Sequence, residues 1–531
     1  MKRLLLLLVL AAALVLGLTC RAYSDDIVSA GSQGSPVKGS WSLPATWAGG
    51  TVPGPLDNVT IFDGDTVMVD VSATVASITV GSGTGGALIF NSTASVNLTV
   101  SGDFIVSANA AFRCTGGSTS PVIDTLFMYG NFQNSGSTLD MRTGSGPNYG
   151  VCYIVFVGNT NSSFRSTSVY NSNTNEFNGI TIMKSGNANV ILGSDITMAG
   201  GSSSYPNTQP YLDLRHGMIV TGNYSIINRS TAANTPNPVI VGGSDSSYVL
   251  GSFGRGMSST SVTTRTFPVG DSHGYHPIQV HNASGGGATG HNLRVKLIFG
   301  NANPSASALS GGIDKVSTAR YYKLTYDRGV GADTTTTSAS MSFDRFMPGY
   351  TQQDGVAAGS TNLRVGYTTD SLINWKGMGQ LVTFDTTVYT DPPTYWKTDS
   401  LPTASWVTLQ YNHSAYVALA RATGTIDNTL DFTLVGVNDR AELPSGFALS
   451  QNYPNPFNPT TTIRYTVPKA SHVVIELFNL LGQSVAHLVD VNMHPGTYSV
   501  RVDGAGLSSG IYFYRLTAGS TVLTHQMVVT K

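Results

Sequence analysis

The sequence predicts an all-β protein of several modules, and three observations carry that reading. Only 11% of the 531 residues are charged, and 59 glycines with abundant Ser, Thr and Asn favour turns and strands over helices. Apolar residues alternate with polar ones in short runs bounded by Gly, Asn or Ser. No long stretch shows the 3.6-residue period of an amphipathic helix. The expected order is a leader over 1–24, a solenoid of short strands over 25–235, a β-rich connecting module over 236–300, a β-sandwich over 301–425, a linker over 426–445 and a second, small β-sandwich over 446–531.

The leader is read from Lys2 and Arg3, which precede an apolar run from Leu4 to Leu18 that is too short to span a bilayer. Ala22-Tyr23-Ser24 then offers small residues at the two positions a signal peptidase reads. Cys20 raises a lipoprotein alternative, but Gly17-Leu18-Thr19-Cys20 lacks the leucine usual three residues before a lipidated cysteine. Export is the expectation. After cleavage Cys114 and Cys152 remain. Two readings stand for them: a single disulfide worth about 2–4 kcal/mol, or a pair of buried thiols.

A net charge of −1 with no cluster of Lys or Arg removes the electrostatic footprint that nucleic acid requires. The chain holds no CxxC, no Cys/His cluster and no HExxH, so zinc has no support and no cofactor is expected.

In the first half, Asp57-Asn58-Val59-Thr60-Ile61, Thr66-Val67-Met68-Val69-Asp70, Ala76-Ser77-Ile78-Thr79-Val80, Ala87-Leu88-Ile89-Phe90, Val96-Asn97-Leu98-Thr99-Val100 and Asp103-Phe104-Ile105-Val106 recur at intervals suited to successive faces of a coil. Each run offers two or three inward apolar residues and cannot bury them alone, so stacking makes the core. The rhythm resumes with Gly179-Ile180-Thr181-Ile182, Val190-Ile191-Leu192, Asp195-Ile196-Thr197-Met198 and Tyr211-Leu212-Asp213-Leu214. The segment from Gly39-Ser40-Trp41 through Thr46-Trp47-Ala48-Gly49-Gly50 and Val52-Pro53-Gly54-Pro55 resembles the entry of bacterial surface proteins built on a right-handed parallel β-helix. A many-stranded sandwich is the alternative. Beyond the coil, longer runs such as Tyr321-Tyr322-Lys323-Leu324-Thr325-Tyr326 and Tyr416-Val417-Ala418-Leu419-Ala420 predict a sandwich, with Trp375, Trp396 and Trp406 as packing anchors.

The C-terminal segment opens with Leu449-Ser450-Gln451-Asn452-Tyr453-Pro454-Asn455-Pro456-Phe457-Asn458-Pro459. Thr462 to Pro468 reads as a first strand, and Val473, Ile475 and Leu477 alternate with His472, Val474, Glu476 and Phe478 in a second. Gly482-Gln483 follows a hairpin, and Ser509-Gly510-Ile511-Tyr512-Phe513-Tyr514-Arg515-Leu516 precedes the last strand, which ends at Lys531. In these residues the segment resembles the C-terminal sorting domain of the type IX secretion system, an Ig-like module also similar to the small sandwich of flagellar hook-capping proteins. Members often carry lysines just before the last apolar strand, where this chain has His525 and Gln526. The resemblance implies the type IX secretion machinery as a partner, passage through the periplasm to the outer surface or the medium, and a sorting role for Asn452, Tyr453, Pro454, Asn455, Pro456, Phe457, Asn458, Pro459, Gly482, Gly510, Tyr512 and Lys531.

Few residues suggest chemistry. Gly81-Ser82-Gly83-Thr84-Gly85-Gly86 has GxGxxG spacing, but a phosphate loop needs a helix directly after it, and a strand is expected. Gly506-Leu507-Ser508-Ser509-Gly510 matches a nucleophile-elbow pattern without its strand-to-helix context. Asp63, Asp65 and Asp70 form the densest run of carboxylates with Asp57 and are weak Ca²⁺ candidates against a reading as turn residues. His276 and His281 lie an odd number apart on an expected strand and would face opposite ways. No catalytic residue is nominated. A non-catalytic structural or adhesive surface protein is the first functional expectation, with extracellular glycan or cell-surface components as partners. The alternatives are a β-helical carbohydrate-active enzyme, such as a polysaccharide lyase or glycosidase, and a carbohydrate-binding protein.

Overall fold

The computed structural model describes residues 24–431 and 447–530 apart from short internal stretches, of which 199–210, 230–239 and 329–339 are the longest. The leader, Pro459, Gly506, Lys531 and most of the expected linker lie outside the described residues. The described chain is almost entirely strand, broken near its start by three single-turn 3₁₀ segments between Ala30 and Gly50. It divides into two units, 1–433 and 434–531.

The first unit begins as a coil of parallel strands. One face stacks Asp26–Val28, Asn58–Ile61, Ser77–Val80, Phe104–Val106, Phe132–Asn134, Ser162–Ser166, Val190–Leu192 and the start of Ile219–Asn228, each in register with the next. A second face stacks Lys38–Ser40, Thr66–Val69, Ala87–Phe90, Ala111–Cys114 and Thr138–Asp140. The third runs from Ala73–Val75 and Asn97–Val100 through Val122–Met128, Gly150–Gly158, Gly179–Lys184 and Tyr211–His216 to Ile240–Gly242. Parallel pairing requires a crossover, and here the crossover is the remainder of each turn of the coil. The solenoid expectation holds, and the single large sandwich does not.

The alternation seen in the sequence sets which side chains point inward. Val67 and Val69, Leu98 and Val100, and Ile180 and Ile182 are buried from their respective faces. Rings stack along the axis: Phe104 lies over Phe132 with centroids 5.4 Å apart and planes 8° from parallel, and Phe164 meets the edge of Phe132 at 5.7 Å. Trp41 and Trp47 pack edge to face at 5.0 Å beneath the entry, where Trp47 Nε1 donates to the Trp41 carbonyl.

At one corner the turns are tied by side chains. Asp103 Oδ1 accepts from Asn131 N, Asn131 Oδ1 from Ser163 N, Asn161 Oδ1 from Asn189 N and Asn189 Oδ1 from Met218 N, at 2.7–3.0 Å. Each Asx side chain thus satisfies a backbone N–H that the tight corner would otherwise leave without a partner.

The coil runs into the next layer without a break in hydrogen bonding. Val249–Gly256 pairs parallel with the last turn and antiparallel with His291–Phe299, which pairs with Arg320–Arg328; Ser414–Ala422 and Leu363–Thr368 extend that sheet. Thr264–Phe267, Ile278–Gly285, Ser340–Tyr350 and Val407–Gln410 form a second sheet. One hydrophobic core extends from Ile27 to Val417. Trp375 is fully buried, and Trp406 packs half-buried against that core.

The second unit is a separate sandwich with its own core. Ala448–Leu449, Thr460–Val467 and Gly496–Asp503 form one sheet, and Ser484–Met493, Ser471–Phe478, Gly510–Ala518 and Thr521–Val529 the other. Val473, Ile475 and Leu477, with Tyr514 and Leu516 beside them in the same sheet, share a core with Ile463 and Tyr465 of the other sheet, as their alternation predicts.

Candidate functional site

Asn452 is the pivot of the C-terminal motif. It is buried, its N–H donates to the Tyr514 hydroxyl at 2.8 Å, and its Nδ2 donates to the Pro454 carbonyl and to Thr461 Oγ1. Tyr514 in turn donates to the Ser450 carbonyl at 2.7 Å. Asn455 Oδ1 accepts from Val528 N, and Phe457, buried, exchanges backbone hydrogen bonds with Val528 and Thr530. Asn455 and Phe457 therefore clamp the entry of this sandwich to its last strand and Asn452 ties it to Tyr514 in the strand before, while Tyr453 stands 82% exposed. Gly482 occupies a turn with φ of 75°, and Gly510 opens its strand with φ of 155°.

The acidic candidates near the start do not converge on one point. Asp63 accepts from Ser82 N at 2.7 Å and from the Ser82 hydroxyl, and these donors hold its carboxyl well below the usual range. Asp65, 1% exposed, takes Gly31 N, Val37 N and the Ser29 hydroxyl. Asp70 binds Ser42 through both oxygens. Each carboxylate ties its own turn to the preceding or following one, so the run of Asp reflects three latches rather than a ligand set. Among the described residues no group of His, Cys, Asp and Glu is placed to hold a metal ion.

Cys114 and Cys152 point into the coil from its second and third faces and are free thiols rather than a disulfide. Cys114 donates to the Gly150 carbonyl at 3.4 Å. Burial pushes both thiols up in pKa, Asp124 adding to the shift in each, which makes them poor nucleophiles. The glycine run 81–86 is a tight turn followed by the strand Ala87–Phe90, and a Cβ on Gly81, at φ 71°, would meet the Gly85 carbonyl oxygen at 1.9 Å. Close backbone approach explains those glycines without a phosphate.

A buried charged cluster joins the end of the coil to the following sheets, and sequence reading did not find it. Arg320 donates to Asp271 at 2.9 Å and lies 2.7 Å from Asp354; His276 lies 3.6 Å from the other Asp354 oxygen, and all four are buried. Asp354 also accepts from Thr351 N, and Tyr322 donates its hydroxyl among the carbonyls of His276, Pro277 and Gly349. Burial lowers the His276 pKa well below its ordinary value, with Arg320 adding to the shift, so the ring is neutral. The cluster is enclosed by core residues and reads as a structural joint. His281 lies apart from it, against Asp344.

On the outer side of the third face, Tyr153 and Tyr211 meet edge to face at 5.0 Å over Gly179, and Asp213 follows Tyr211 on the same side. Arg215 Nε donates to Asp213 Oδ2 at 2.7 Å.

Comparison with known proteins adds two families. Residues 451–530 match the secretion system C-terminal sorting domain, and residues 46–187 match the G8 domain. No curated protein matches the chain. A solved polysaccharide lyase is similar at 9% identity over 48% of this chain and 34% of that one, with a TM-score of 0.14. The chain thus spans about a third of that lyase, and a likeness this slight carries no argument about activity. The sorting-domain match makes this chain a protein exported by the type IX secretion system to the cell surface or beyond, and part of its coil is similar to the G8 domain.

Proposed function

We propose that the exported protein is a non-catalytic scaffold of the outer surface that works by adhesion. The observation that carries this reading is the use to which the coil puts its carboxylates. Asp57, Asp63, Asp65, Asp70, Asp103, Asp124, Asp195 and Asp245 each accept at least one backbone N–H, nearly all from another turn. A general acid or base must be free to meet substrate, and a carboxylate whose oxygens are taken up by fixed backbone donors is poorly placed for that work. The same bonds suit a rigid stalk, since each turn is fastened to its neighbour.

A second reading, a β-helical carbohydrate-active enzyme, draws on one feature. Asp213 is 2% exposed, and its Oδ1 has no hydrogen-bond partner among the described residues, beside Tyr153 and Tyr211. The test is a screen of residues 25–531 against neutral and acidic polysaccharides, reading reducing ends and unsaturated products. No turnover is expected. Turnover abolished by Asp213→Ala would replace the scaffold reading with the enzymatic one.

A further inference from the structure

Outside the coil, a cleft of about 380 Å³ opens beside the hairpin that joins Leu363–Thr368 to Trp375–Gly377. Its size falls within the range of small-ligand sites, roughly 300–1,000 Å³. Three strands bring its lining together in register. Tyr367 lies directly opposite Lys376 in an antiparallel pair, and Ser310 lies opposite Lys376 in a parallel one. Directly opposed residues share a face of the sheet, so a ring, a hydroxyl and an ammonium project to the same side.

The rim is held in an unusual shape. Ser371, Leu372 and Asn374 have φ of 59°, 70° and 54°, the left-handed region that glycine relieves, in a chain with 59 glycines to spend on such turns. Asp370 keeps the turn closed: Asn374 Nδ2 donates to its Oδ2 at 2.7 Å, and the Thr368 hydroxyl lies against its Oδ1. Those donors lower its pKa against the opposing effect of burial, so the carboxylate is charged. Below, Trp375 is fully buried with Nε1 donating to the Ala302 carbonyl at 3.1 Å, which fixes the backbone that presents Lys376. Lys376 itself is exposed and forms no ion pair among the described residues.

We infer that this cleft binds one residue of an uncharged glycan. A sugar ring offers an apolar C–H face and, around its edge, neighbouring hydroxyls that each donate and accept. Tyr367 supplies a ring for the first. Lys376 is donor-only, and Asp370, with one lone pair of each oxygen already taken by Thr368 or Asn374, is acceptor-only, so the lining offers a sugar's hydroxyls both a donor and an acceptor, with Ser310 adding a polar contact at the margin. A simple anion meets Lys376 but also the charge of Asp370. Rigid presentation of these groups on paired strands lowers the ordering cost of binding.

This inference deepens the adhesive reading by naming a ligand class and a place. The test uses residues 25–531 on an array of neutral, uronate-bearing and sulfated glycans, followed by calorimetric titration of the best neutral oligosaccharide. Binding is expected to fall at least about tenfold in Lys376→Ala and in Thr369→Arg, which crowds the mouth, with melting temperature unchanged; Lys323→Ala serves as control. Tyr367→Leu keeps the half-buried packing and is expected to weaken binding similarly. No neutral glycan bound, binding indifferent to Lys376→Ala and Thr369→Arg, or binding confined to sulfated glycans would each overturn the assignment. Bound glycan that is also cleaved would remove the non-catalytic reading and leave this site standing, whereas absence of binding would remove the site and leave the scaffold.

Discussion

Asp65→Ala tests whether the acidic run near the N-terminus is a set of latches. The carboxylate takes the Gly31 N–H at 3.0 Å, the Val37 N–H at 2.7 Å and the Ser29 hydroxyl, and so pins the segment that leads from the first strand to Lys38–Ser40. The fit is close, since a Cβ on Gly31 would come within 1.8 Å of Asp65 Oδ1. Hydrogen bonds to a charged acceptor are worth about 1.5–3 kcal/mol each, so three would sum to roughly 4–9 kcal/mol. The measured loss cannot exceed the free energy of opening that segment alone, because the chain will release it rather than keep three buried donors without partners. About 3–5 kcal/mol is therefore expected, with Asp65→Asn intermediate because its amide turns one acceptor into a donor facing a donor. Urea unfolding followed by the fluorescence of Trp41 and Trp47, both buried beside this segment, gives the free energy; hydrogen exchange at Gly31 and Val37 gives the locality. A cost below about 1 kcal/mol, or unchanged exchange at those amides, would refute the latch. So would a Ca²⁺-dependent rise in stability that Asp65→Ala abolishes.

Three further outcomes are expected. His276 is held neutral in the fold while the unfolded residue takes a proton near pH 6.5, so its contribution is fully present above that pH and is lost as pH falls below it; the urea midpoint should drop from pH 6.5 to 5, and His276→Gln should flatten the slope, equal slopes counting against the buried neutral ring. Residues 25–531 should show no thiol reactive towards an aromatic disulfide reagent when folded and two when unfolded without reductant, because Cys114 and Cys152 are buried with raised pKa values; no thiols after unfolding would mean a disulfide. Asn452→Ala removes the Nδ2 bonds to Pro454 and Thr461, costing the C-terminal sandwich about 1–3 kcal/mol, and a reporter fused to residues 447–531 carrying it should accumulate in the periplasm; undiminished export would separate the clamp from sorting.

The strands of the coil were legible because each face obeys a period of two, and a residue such as Leu98 or Ile180 announces its direction by its polar neighbours. The corner ladder of Asp103, Asn131, Asn161 and Asn189 was also written in the chain, at intervals close to one turn, yet Asn is so frequent here that its spacing gives no contrast. Arg320, Asp271 and Asp354 could not be read at all. They come from separate elements, and nothing local distinguishes a buried arginine from an exposed one before the sheets are assembled. The carboxylates of 57–70 were legible as a cluster but not as a function, because a ligand set and a set of latches use the same residue type and differ only in where the donors come from.

That last ambiguity bears on how the chain can be so poor in charge and still have a defined shape. Parallel turns of similar sequence are prone to slip by one register, and a slip of one residue turns a whole strand inside out. Apolar packing resists that slip, but it resists a slip of two residues only weakly, since each side chain then stays on its own face and successive turns offer similar Val, Ile and Leu. A carboxylate that must meet one named N–H of a neighbouring turn resists it strongly, because a displaced register leaves a buried charge without its donors. Asp57 to Asp25 N, Asp65 to Val37 N and Asp124 to Val96 N, all three carboxylates buried, place such a check along the first part of the coil. The few charges of the coil are thus concentrated where a misaligned turn would cost most. The cleft of the second layer lies outside this arrangement: there Lys376 is exposed on the same side of the sheet as Tyr367 and Ser310, and it holds no turn in place among the described residues.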